Sequence, residues 1–108
     1  MFTLKNKVMI QRDYRINKDE TVADFIIRYE KDDLTPEDTL TVVAVDGVPY
    51  ELNMSASIIL ESLLSGKSRL ESADLLSSLF GIDKELAVTS VNEIATKFIE
   101  KNIIEELV

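Results

Sequence analysis

Apolar and polar positions change their period near the middle of the chain. Before it they alternate in short runs, and after it they recur at helical spacing. Thr39-Leu40-Thr41-Val42-Val43-Ala44-Val45 is rich in β-branched residues and predicts a strand. Asp46-Gly47 follows, then Val48-Pro49-Tyr50-Glu51-Leu52. Asp-Gly between two such runs predicts a hairpin, because a type I′ turn needs positive φ at both central residues. In the second arm Val48, Tyr50 and Leu52 share one face, and Pro49, Glu51 and Asn53 share the other. Pro49 has no N–H to give to a ladder, so this arm is expected at the edge of its sheet. An edge must be covered, blunted or used.

Further strands are expected upstream. Lys7-Val8-Met9-Ile10-Gln11 is short and apolar, with a charged continuation to Ile16. Residues 19–31 fit two periods. Val22, Phe25, Ile26 and Tyr29 have helical spacing, whereas Phe25, Ile27 and Tyr29 alternate as in a strand. The strand is the preferred reading, from about Asp24 to Lys31. Residues 32–38, DDLTPED, read as a polar loop.

The second half predicts three helices. The first spans about Ser55 to Ser65 and carries Ile58, Ile59, Leu60, Leu63 and Leu64. Asn53 or Ser55 can cap its start, and Gly66 stands where a helix stop belongs. The second opens at Ser68, with Glu71 at capping-box spacing, and ends at Phe80 before Gly81. Asp83 is the expected cap of the third, which continues to about Lys101. On that helix Ala87, Val88, Val91, Ile94, Ala95, Phe98 and Ile99 fall within an arc of roughly 140°. Ser90, Glu93, Thr96, Lys97 and Glu100 occupy the remaining face. The tail IIEELV is half apolar and can dock. The expected class is α+β: an N-terminal antiparallel sheet of three to four strands, then three helices. A single domain is expected, with residues 1–38 as a strand and extension region, 39–53 as the hairpin and 54–108 as the helical part.

Composition removes much chemistry. The 108 residues include no cysteine and no histidine. Structural zinc, iron–sulfur and haem ligation, thiol nucleophiles and a Ser-His-Asp triad all need one or both. No metal or cofactor is expected, and no enzymatic activity. All three glycines have structural uses, one in the turn and two at helix stops, so no glycine-rich phosphate loop remains. The 12 basic and 20 acidic side chains leave a net charge of −8, which repels nucleic acid at long range. Acids are concentrated between residues 19 and 38, whereas residues 1–18 carry Lys5, Lys7, Arg12, Arg15 and Lys18 against Asp13. No apolar run approaches the ~20 residues that span a bilayer, and the N-terminus lacks a signal-peptide pattern, so a cytoplasmic protein without membrane contact is expected.

Several candidate sites have plainer explanations. Asp32-Asp33, Glu37-Asp38 and Glu105-Glu106 could ligate Mg²⁺ or Ca²⁺, but without a D-x-D-x-D-G loop they read better as solvated acids. Tyr14, Tyr29 and Tyr50 read as amphipathic packing before ligand contacts. A DNA-reading winged helix would present Glu93 and Glu100 beside Lys97, which argues against it. The edge strand is the remaining candidate. An uncovered edge beside an amphipathic helix can accept an extended peptide as a further strand. Cover by the N-terminal segment is the even alternative.

The stretch VDGVPYELNMSASIILESLLSGKSRLESADLLSSLFGID, followed by VNEIATKFIEKNIIEE, resembles the PqqD-like family of recognition elements for ribosomally made, post-translationally modified peptides. The resemblance rests on several features in order: a strand ending in Leu52-Asn53, small residues and an apolar helix, Gly66-Lys67-Ser68 opening a second helix, Phe80 near its end, and a long helix with an apolar-acidic tail. It covers about residues 40–106. It implies a three-stranded sheet followed by three helices, winged-helix-like in shape. It also implies a module that binds the leader of a precursor peptide and presents it to a modifying enzyme, often a radical S-adenosylmethionine protein. In the family the leader adds along the third strand and lies against the third helix. On this sequence those elements supply Val48, Pro49, Tyr50, Glu51 and Leu52, and Val91, Ile94, Ala95, Phe98 and Lys101. Two features depart from the pattern: Ser90 stands where the family often has an acid, and residues 1–38 do not align clearly. Either Val8–Ile16 or Asp24–Lys31 could be the family's first strand. The second reading is a winged-helix-like interaction or regulatory domain without a peptide substrate.

Overall fold

The computed structural model describes residues 1–12, 16–30 and 38–107. Its elements run β1 (Phe2–Leu4), β2 (Val8–Arg12), α1 (Val22–Tyr29), β3 (Thr39–Val45), β4 (Val48–Asn53), α2 (Met54–Leu64), α3 (Arg69–Phe80), α4 (Lys84–Glu100) and β5 (Ile104–Glu106). The expected α+β order is present: an antiparallel sheet β2-β3-β4, then three helices in a winged-helix-like arrangement.

The Asp46-Gly47 hairpin forms as its residues require. Asp46 has φ 51° and Gly47 φ 85°, both positive as a type I′ turn demands. Val45 and Val48 face each other across it, and the register runs on through Val43 with Tyr50 to Thr41 with Leu52. Leu40 is then an extra residue on β3, because Thr39 pairs with Asn53. This bulge lets two consecutive residues, Leu40 and Thr41, both point into the core.

Three sequence expectations need correction. The stretch expected as a strand from Asp24 is helical as far as Tyr29. The Thr21 hydroxyl caps α1 by accepting the Asp24 N–H at 3.0 Å. Val22, Phe25 and Ile26 are buried while Ile27 is 58% exposed, which is the helical face and not the alternation. The Val22 N–H, which has no partner within the first turn, donates to the Glu61 carboxylate of α2 at 3.0 Å. The second correction is at the N-terminus, where Phe2–Leu4 pairs antiparallel with Ile104–Glu106 as a separate two-stranded sheet. The apolar tail therefore docks, and Ile103 and Ile104 are fully buried. The third is Asp83, which stands at the start of α4 without a side-chain capping bond. Its backbone carbonyl accepts the Ala87 N–H instead, at 2.9 Å. Of the two stretches expected as a first strand, 8–16 and 24–31, the first supplies β2, which pairs with β3 from Val8–Val45 to Arg12–Thr41. The strand continuation through 13–15, Tyr14, Lys31 and the polar loop as far as residue 37, with the acids Asp32, Asp33 and Glu37, lie outside the described residues.

Other helix ends follow their sequence signals. Asn53, not Ser55, caps α2, with its Oδ1 accepting the Ala56 N–H at 2.9 Å. Ser68 and Glu71 form the reciprocal capping box of α3. At the end of α4, Asn102 takes a left-handed conformation with φ 60°. Its N–H reaches the Ile99 carbonyl at 3.1 Å, and the Ile103 N–H reaches the Phe98 carbonyl at 2.9 Å. These two bonds are the Schellman pattern, with asparagine in the position glycine usually fills. The turn folds Ile103 back beside Phe98 and aims the chain into β5. Asn102→Val puts a β-branched residue at positive φ and is expected to lower unfolding free energy by about 1–2 kcal/mol, whereas Asn102→Gly is near neutral. Urea melts of the two variants check this.

Buried helix faces carry two polar irregularities: among the described residues neither the Ser62 hydroxyl of α2 nor the fully buried Ser72 hydroxyl of α3 has a hydrogen-bond partner. Leaving such a group unpaired costs about 1–3 kcal/mol. Ser72→Ala is therefore expected to raise the melting temperature, and calorimetry will read the change.

Candidate functional site

β4 runs straight into α2, and Asn53 is both the last strand residue and the helix cap. Among the described residues no strand pairs with the other side of β4. The hairpin decides which main-chain groups face that open side. Val45–Val48 closes the two-residue turn as a hydrogen-bonded pair, so Val43–Tyr50 is the next one. Pro49 and Glu51 fall on the alternate, non-bonded positions and aim their backbone groups outward. The open side therefore offers the Glu51 N–H and the carbonyls of Pro49 and Glu51. Pro49 has no donor to add, so the proline falls on the exposed side of the edge.

Beside this edge lies a groove of about 310 Å³ between β4 and α4. Tyr50, Glu51, Leu52 and Asn53 line one wall, and Ile94, Lys97, Phe98 and Lys101 line the other. Ala56 of α2 and Ile103 of the α4–β5 turn complete it. The floor is apolar and firm: Leu52, Phe98 and Ile103 are core residues. The rim is polar. The Lys101 ammonium lies 4.9 Å from the centre of the Tyr50 ring, a cation–π contact that crosses the groove's mouth.

Six of the ten residues singled out from the sequence meet here: Tyr50, Glu51, Leu52, Ile94, Phe98 and Lys101. Val91 and Ala95 do not: both are buried in the core and neither lines the groove. Val48 and Pro49 lie nearer the hairpin tip, exposed and outside the groove's lining. Helical geometry explains the division. At 100° per residue Lys97, Lys101 and Ile94 occupy an arc of roughly 60°, adjoining the stripe of Phe98, Val91 and Ala95. Four lining residues escaped the sequence reading: Asn53, Ala56, Lys97 and Ile103. Lys97 carried a usable signal, since it stands one turn before Lys101 on the same face.

No other cluster among the described residues offers comparable chemistry. Glu105 and Glu106 do not converge on a common point: Glu105 lies 4.0 Å from Lys5, and Glu106 lies 3.7 Å from Arg69. Among the described residues no three acidic side chains gather as a metal site needs, and no helix is long and apolar enough to cross a membrane. A second cavity, of about 290 Å³, lies between β2, α1 and α2. Its polar groups are already engaged, with the Arg12 guanidinium 2.8 Å from Glu61 and Glu61 also accepting the Val22 N–H.

No protein-family model matches the sequence, and no curated protein does. A solved structure does match in fold: a lasso peptide synthetase B1 complexed with the leader peptide. The TM-score is 0.69 at 18% sequence identity, over 97% of this chain and 98% of that one. The two chains share a fold across nearly their whole lengths.

The cation–π contact gives the groove a measurable element of preorganisation. A double-mutant cycle of Tyr50→Leu and Lys101→Gln is expected to show a coupling of about 0.5–1 kcal/mol in urea unfolding. Strictly additive losses would mean that the contact does not hold the rim in solution.

Proposed function

We propose that this chain binds the leader segment of a ribosomally made precursor peptide in the groove between β4 and α4, and presents that peptide to a modifying enzyme. The observation that carries the reading is the shared wall: the open main-chain edge of β4 is also one side of an apolar groove. An extended segment lying there pairs with the edge while its side chains enter the groove.

Magnitudes indicate how the two contributions divide. Each main-chain hydrogen bond contributes about 0.5–1.5 kcal/mol net. With Pro49 silent as a donor, the ladder is short. Burying one apolar side chain contributes about 1.5–3 kcal/mol. The groove therefore supplies at least as much affinity as the edge, and it supplies the selectivity.

Two resemblances support a leader peptide as the occupant. The sequence resembles PqqD-like recognition elements, and the fold is that of a synthetase component solved with a leader peptide. The modifying enzyme follows from the same two sources. The sequence resemblance favours a radical S-adenosylmethionine maturase, and the fold likeness favours a synthetase partner. In either case this chain contributes recognition, and the chemistry resides in the enzyme.

The test is titration with the leader of a precursor peptide encoded beside this chain's gene, followed by amide shifts. Shifts are expected in residues 48–53 and 87–101, and their absence at high leader excess would sink the reading. Phe98→Asp is expected to abolish binding, but Phe98 is only 3% exposed, so loss of packing contributes. Ile94→Asp, at a half-buried wall position, is the cleaner variant. It should weaken the leader by about tenfold or more while the circular dichroism spectrum is unchanged.

A further inference from the structure

We infer that the groove selects extended peptides in which a carboxylate side chain stands two residues from an apolar one. The inference rests on the peptide-binding reading above and concerns what the groove recognises. Lys97 and Lys101 stand one helical turn apart on the same rim. Among the described residues neither has an ion pair, although the chain carries 20 acidic side chains. Like charges at this spacing disfavour a helix, and an anion between them offsets that. The neighbouring acids are Glu93 and Glu100 on α4 and Glu51 across the groove. Glu51 lies within 3.4 Å of the Thr39 hydroxyl, turned along the sheet.

The spacing follows from strand geometry. Residues i and i+2 of an extended peptide point to the same side, roughly 6.8 Å apart. One such side chain fills the apolar floor of Leu52, Phe98 and Ile103. Its same-side neighbour then reaches the lysine rim. The chain's net charge of −8 opposes a strongly acidic ligand as a whole. At physiological ionic strength, fields fade over about 8 Å, so the nearest charges dominate. The combination favours a single placed carboxylate and rejects a polyacidic tract.

Selection from a library of short random peptides displayed on phage tests this, with wild-type protein and with the Lys97→Gln, Lys101→Gln double variant as baits. Wild type is expected to enrich an acid two residues from an apolar position, and the double variant to keep the apolar preference alone. A synthetic winner and its carboxamide analogue then complete a double-mutant cycle by fluorescence anisotropy. Removing the carboxylate or both lysines should each weaken binding about three- to tenfold, and removing both should cost no more than one. Winners without the acid, or additive losses, overturn the inference and leave the peptide-binding reading intact. If folded wild type enriches no peptide, both fall together.

Discussion

Helix α2 has almost no solvent-facing side. Met54, Ser57, Ile58, Ile59, Leu60, Ser62 and Leu63 are all buried within eleven residues. A helix apolar around its circumference must be enclosed, and here α1, α3, α4, β1, β3 and β4 all pack against it. These six elements are placed by the need to cover this one. The β-sheet closes one side, the α3–α4 pair closes another, and α1 closes a third.

The groove is a consequence of how that enclosure begins and ends. β4 passes into α2 without a loop, so the strand cannot move away from the helix it leads into. α4 approaches from the far side and must also cover α2, which sets it across from the β4 edge. Its final turn at Asn102 then returns Ile103 to the core and feeds β5 onto β1. The β1–β5 pairing ties the two ends of the chain together, and the groove's end wall depends on it. The site is thus built from the rigid parts of the fold, a strand and a helix each fixed to the same buried neighbour.

Legibility in the sequence tracks how local each determinant is. The hairpin, the capping box and the glycine stops were readable because turn and cap chemistry lie within a few residues. α1 was not, because Phe25 and Tyr29 satisfy both periods and the deciding partner, Glu61, is 39 positions away. The Thr21–Asp24 cap was a local signal for the helix that the alternation outweighed. β1 and β5 are three residues each, too short to show alternation, and only their mutual pairing defines them. In the site, the edge strand was legible through Pro49. The split of α4 between core and groove was not, since Val91, Ala95 and Phe98 share an arc with Ile94 and periodicity does not show which flank meets the sheet. Lys97 was lost for the same reason, assigned to a polar face that is in part a rim.

Pro49 reconciles two demands on the open edge. A full strand edge invites pairing with any other edge, including another copy of this chain. Sheet-to-sheet pairing needs several consecutive donor–acceptor positions, and Pro49 interrupts them at the hairpin end of β4. A short peptide needs fewer. It can pair around Glu51, where both main-chain groups are available, and take the rest of its affinity from the groove beside it. Under the proposed function, the interruption weakens the competing edge more than a peptide ligand. It also shifts discrimination from backbone to side chains, because one ladder position carries no sequence information. If the proposed function holds, the residues that distinguish one peptide from another are those of the α4 wall, Ile94, Lys97 and Lys101, while β4 supplies direction and register.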